Sequence, residues 1–163
     1  MKKLLFTLFV LIASATGMQA QELYKNVYDK AMAVVNNPAS SDEATQINQF
    51  KLTALNYMSM MVKKRGLKKD SDFYNAQAVM LNSFITDFQV NLEKARAISS
   101  TKRTKILEIY TNASKFNPMF NDPDKEKVNC YVNDRTTLTP FCIDTDWVKA
   151  YDQATTMAKA ELR

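Results

Sequence analysis

Among its 163 residues the chain has no histidine, two glycines, two cysteines and one tryptophan. Without an imidazole to carry the proton, the common Ser-His-Asp and Cys-His nucleophile systems are excluded. A zinc site would have to use cysteine and carboxylate ligands alone, an uncommon set. Of the two glycines, Gly17 falls in an N-terminal leader, so only Gly66 remains beyond it. Phosphate-cradling loops need glycines where backbone approaches an anion, so a Rossmann or P-loop nucleotide site is excluded. Net charge is also modest. Setting aside Lys2 and Lys3 of the leader leaves twenty basic against seventeen acidic side chains. That is too thin a positive footprint for a nucleic-acid partner. No cofactor and no metal are expected.

The leader itself is well marked. Lys2 and Lys3 precede an apolar run, Leu4 to Ala13, and small or polar residues follow as far as Ala20. This is the layout of a secretory signal peptide. The run is too short to span a bilayer as a stable helix, and no later stretch is long and apolar enough to do so. The reading is a signal peptide over residues 1–20, cleaved after Ala20, and a single helical domain over 21–163. The domain is placed outside the cytosol of a bacterium, in the periplasm or beyond. In such a compartment the even cysteine count, Cys130 and Cys142, reads as a disulfide closing a short ring; two buried free thiols are the alternative.

From Glu22 onward, apolar residues recur at helical spacing. Leu23, Val27, Ala31 and Val34 mark a first helix, stopped by Asn36-Asn37-Pro38. Ser40 and Glu43 form a capping-box pattern before a second helix, about Ser41 to Arg65, with Ile47, Phe50, Ala54, Met58 and Met61 on one stripe. Gly66 sits where a left-handed terminating residue belongs. A third helix opens at Asp70 or Ser71 and reaches about Ala97. Its two stripes, one through Phe73, Ala76, Met80, Phe84, Phe88, Leu92 and Ala95 and one through Tyr74, Ala78, Leu81 and Ile85, mark it as central. A fourth starts near Ser99 and stops at Asn117-Pro118. Asp144 or Thr145 caps a last helix carrying Trp147, Tyr151, Ala154, Ala158 and Leu162 on one face. Residues 117–144 show no helical period, but Val128–Val132 and Leu138–Ile143 suit a small hairpin turning at Asn133-Asp134. The expected fold is all-α, an antiparallel bundle of four to five helices, with a disulfide-tied irregular segment before the last helix.

Several clusters invite a chemical reading. Lys63, Lys64, Arg65, Lys68 and Lys69 form a basic run at a helix C-terminus, where cations complement the helix dipole. Lys102 and Arg103 sit instead in a first helical turn, where positive charge is mildly unfavourable, so they are candidate contacts for an anionic partner. Trp147 and Tyr151 are core residues that would line a groove if the cysteine segment lifted. Asp122, Asp124 and Glu126 alternate as in a calcium loop, but Pro123 intrudes and the loop glycine is missing. Met58, Met60 and Met61 offer thioethers, yet Met60 points away from the other two on a helix. Glu93, Glu108, Asp144 and Asp146 are the acids to inspect for a carboxylate pair.

Two stretches, Ile47-Asn48-Gln49-Phe50-Lys51-Leu52-Thr53-Ala54-Leu55-Asn56-Tyr57-Met58 and Leu138-Thr139-Pro140-Phe141-Cys142-Ile143-Asp144-Thr145-Asp146-Trp147-Val148-Lys149-Ala150-Tyr151, are telling as a pair. Together they resemble an uncharacterised group of small exported helical proteins from Bacteroides-like bacteria. The resemblance implies a bacterial origin and an envelope or extracellular location; it transfers no activity. The functional expectation is therefore a non-catalytic binding or interaction module whose partner is a protein or another envelope component. The alternatives are a carboxylate-dependent hydrolase of envelope glycans and an adaptor of tetratricopeptide type, the latter from the Ala31…Pro38 stretch.

Overall fold

The computed structural model describes residues 20–134 and 137–163. The leader expected over residues 1–20 therefore lies, up to residue 19, outside the described residues. Among those described are six helices and one hairpin: α1 (Ala20–Val35), α2 (Asp42–Lys64), α3 (Ser71–Ile98), α4 (Ser100–Lys115), α5 (Lys125–Val128), β1 (Asn129–Asp134), β2 (Thr137–Cys142) and α6 (Trp147–Glu161).

Local chemistry sets the boundaries. Ser41, not Ser40, caps α2, its hydroxyl accepting from the Ala44 N–H. Ser40 is spent elsewhere: its hydroxyl donates to the Val34 carbonyl and closes the end of α1. After α2, Gly66 takes φ +63. Its N–H bonds the Lys63 carbonyl and the Leu67 N–H bonds that of Val62, the paired bonds of a left-handed helix stop. Asp70 caps α3. Ser99 is the whole link between α3 and α4. Its N–H ends α3 on the Ala95 carbonyl, and its hydroxyl starts α4 on the Lys102 N–H. Asp146, rather than Asp144 or Thr145, caps α6.

Helix α3 is central, packed by α1, α4 and α6 and touched more lightly by α2. Helices α4 and α6 run antiparallel: the start of one meets the end of the other at Lys102–Glu161, and the reverse pair meets where the Asp146 N–H bonds the Asn117 carbonyl. The largest fully buried side chains are Trp147, Tyr110, Phe84, Phe88 and Phe141. Phe84 stands edge-on to Tyr110, Phe141 and Trp147 at centroid distances of 5.1–5.6 Å, a favourable aromatic arrangement. Among the residues whose side chains are described, every buried apolar one lies between Ala31 and Ala158.

The hairpin corrects two expectations. Its strands pair antiparallel with Asn133 opposite Leu138 and Asp134 opposite Thr137, so β1 continues through the expected Asn133-Asp134 turn. The same register refutes the disulfide. Cys130 lies opposite Phe141, whereas Cys142 lies opposite Asn129. Side chains alternate across a strand, so this one-residue offset sends the two sulfurs to opposite faces. Both cysteines are free thiols. Cys130 shares the inner face with Val132 and Phe141. Cys142 is covered by α4, where its N–H bonds the Ser114 hydroxyl at 3.3 Å. Burial pushes both thiols up from their ordinary range and keeps them protonated.

Candidate functional site

The acids of the irregular segment are structural. The Asp144 carboxylate is buried and accepts the N–H groups of Phe120 at 2.8 Å and Asp122 at 2.7 Å. Between them Asn121 takes φ 52, which turns both donors toward one carboxylate. This is a backbone nest filled by an internal anion. Asp122 in turn accepts from the Tyr57 hydroxyl at 3.0 Å and the Asp124 N–H at 3.1 Å, with Lys127 Nζ at 3.5 Å. Asp124 caps α5. Asp122 and Asp124 of the calcium reading are thus tied to separate local partners, and Glu126 lies exposed on α5. Among the described residues no group of three or more His, Cys, Asp or Glu side chains could hold a metal ion.

The remaining acids are dispersed. Glu93 pairs with Arg96 at 2.7 Å, Glu108 lies exposed on α4, and Asp146 accepts from the Gln77 amide at 3.1 Å besides capping α6. Met58 and Met61 are buried while Met60 is 45% exposed, so the three thioethers do not converge.

The two candidate pairs also find internal roles. Lys102 Nζ donates to the Glu161 carbonyl at the end of α6 and lies 3.1 Å from the Glu161 carboxylate, with Lys105 at 3.7 Å. The unfavourable charge at the start of α4 is thereby matched by the negative end of α6. Arg103 is half-buried beside it. Trp147 is 1% exposed, packed against Phe50 and Phe84. Tyr151 is half-buried, its ionisation pushed up by burial and by Asp87.

A different surface stands out. The end of α2, the start of α3 and the start of α1 meet at one pole of the bundle. Tyr24 anchors α1 there, its N–H bonding Asn75 Oδ1 at 2.8 Å. Its ring meets Tyr74 at 5.7 Å and Tyr28 at 6.3 Å, and Tyr74 meets Phe73 at 5.5 Å. These four rings are half-buried. Burial, then the neighbouring Tyr28 and Tyr74, pushes the Tyr24 phenol up, so that ring stays uncharged. Lys69 Nζ lies 4.5 Å over Phe73, and Arg65 lies 5.5 Å over Phe120. Residues 63–72 are exposed without interruption. Among the described residues, Lys63, Lys64, Arg65, Lys68 and Lys69 form no ion pair. In contrast, Arg96 pairs with Glu93, and Lys102 and Lys105 pair with Glu161. The basic run was legible in the sequence, but the aromatic backing was not, because it depends on α1 and α3 packing side by side.

The class defined by these observations is a mostly helical protein with one small hairpin. No helix described is long and apolar enough to cross a membrane. Comparison with protein-family models, curated proteins and solved structures found no match.

Proposed function

We propose that the chain is an exported, non-catalytic binding module and that the aromatic and basic pole is its working surface. One observation carries this reading: five exposed cations without carboxylate partners stand beside four half-buried rings. Asp70 and Asp72 stand in the same exposed run and leave an excess of three positive charges there; such an excess steers an oppositely charged partner, and partly exposed rings supply contact area with little rotamer entropy to lose. The hydrolase reading is less favoured, since each of its four candidate acids has a local structural task or stands alone on a helix face. The proposed module acts outside the cytosol, as a bundle of the type expected from the sequence, on an anionic envelope component.

Co-sedimentation with isolated bacterial envelopes tests this. The chain Gln21–Arg163 should pellet with envelopes, and the double variant Lys68→Glu, Lys69→Glu should remain largely in the supernatant. Equal pelleting of the two proteins, or none by either, would refute the reading.

A further inference from the structure

We infer that this pole docks on an anionic lipid bilayer; the inference rests on the binding-module reading and names its partner. Two features of the pole favour a lipid surface over a soluble polyanion.

The first is shape. The unbroken exposure of residues 63–72 makes a projecting tip rather than a groove. A tip meets a flat, extended partner without rearrangement. The bonds from the Gly66 and Leu67 N–H groups back to Lys63 and Val62 fix the turn at residues 62–67, so little backbone order is lost there on docking.

The second is the mixture of side chains. Leu67 is 42% exposed between the cations, and Leu23 at the start of α1 is 39% exposed. Tyr24, Tyr28, Phe73 and Tyr74 lie behind them. A polyanion in water selects for cations and gains nothing from exposed leucine. A bilayer surface selects for both, because lysine and arginine meet the headgroups while leucine and amphipathic rings enter the interface. Clusters of four to eight cations are the size that anionic membranes attract, and five stand here, with Asp70 and Asp72 lowering the net charge of residues 63–72 to +3.

Vesicle partitioning of the chain Gln21–Arg163 is the test. Vesicles of phosphatidylcholine with about one-third phosphatidylglycerol should bind the protein, and vesicles of phosphatidylcholine alone should not. Added salt should weaken the binding, because exposed charges are screened. Reversing Lys68 and Lys69 to glutamate should lower the partition coefficient at least 25-fold, roughly fivefold for each cation lost. Failure to bind the anionic vesicles, equal binding to both compositions, or insensitivity to salt overturns the inference. Binding to envelopes but not to protein-free anionic vesicles also overturns it, assigning the pole to an envelope protein or polysaccharide while the module reading stands. Loss of both kinds of binding overturns both.

Discussion

Asp144 is the side chain on which the irregular segment turns. Its two oxygens meet two backbone N–H groups across Asn121, and the neighbouring Thr145 hydroxyl bonds the carbonyls of Ser114 and Cys142. Residues 120–122 are thereby tied to the start of α6. Asp144→Asn keeps the shape but presents an NH2 group to one of the two N–H donors. Hydrogen bonds to charged groups contribute about 1.5–3 kcal/mol, and an orphaned buried donor adds a penalty. The substitution should cost about 2–3 kcal/mol of stability, read as a lower urea midpoint with an unchanged slope. Thr139 is the opposite case: its buried hydroxyl has no hydrogen-bond partner among the described residues. Neither role could be read from composition, because an aspartate at a helix start reads first as a cap. Gln77 was missed for a related reason. It sits on a polar position of α3, yet its amide accepts the Trp147 N–H at 2.8 Å and donates to Asp146. No periodicity signals a polar side chain that faces another helix.

At the scale of elements, capping and stopping residues did most of the work. The left-handed Gly66, the Asp70 cap and the double use of Ser99 follow from residue chemistry over a few positions. Choices between adjacent equivalents did not. Ser40 against Ser41, and Asp144 against Asp146, were settled by which hydroxyl or carboxylate had a competing partner from another element. The hairpin shows the same limit. Its strands were recognisable from alternation, but register lies between strands rather than within either, and a slip of one position inverts every face. Because Cys130 and Cys142 occupy opposite faces, mild oxidation should leave both unpaired. Alkylation of the denatured, unreduced protein should therefore modify two thiols. A single cyclised species resistant to alkylation would contradict the register.

For the whole molecule, buried tyrosines link stability to alkaline pH. Burial foremost pushes the Tyr57 and Tyr110 hydroxyls above their ordinary range, and for Tyr57 the bond to Asp122 adds to it. In the unfolded chain both ionise at about 10. Above that pH the unfolded state holds fewer protons than the folded one, so stability is full below about 10 and falls as pH rises toward the folded values. At the acid end the sign reverses. The Asp124 N–H chiefly, against opposing burial and with help from Tyr57 and Lys127, holds the Asp122 carboxyl below its usual range. Its contribution is present above the ordinary carboxylate pKa and is lost as pH falls toward the folded value. Urea midpoints across pH should therefore drop at both extremes. Phenolate absorbance of the folded protein should lag that of the denatured chain; coincident titrations would exclude buried hydroxyls.

The sequence by itself determined the helical character, the approximate limits of the five long helices, the central place of α3 and the basic run after α2. These depend on periodicity and on chemistry between residues a few positions apart. Only the tertiary structure decided which thiol faced which side, which acid held the irregular segment, and that Tyr24, Tyr28, Phe73 and Tyr74 gather beside the cations. Those outcomes rest on contacts between segments tens of residues apart, where the winning partner is chosen by packing and desolvation rather than by neighbours along the chain.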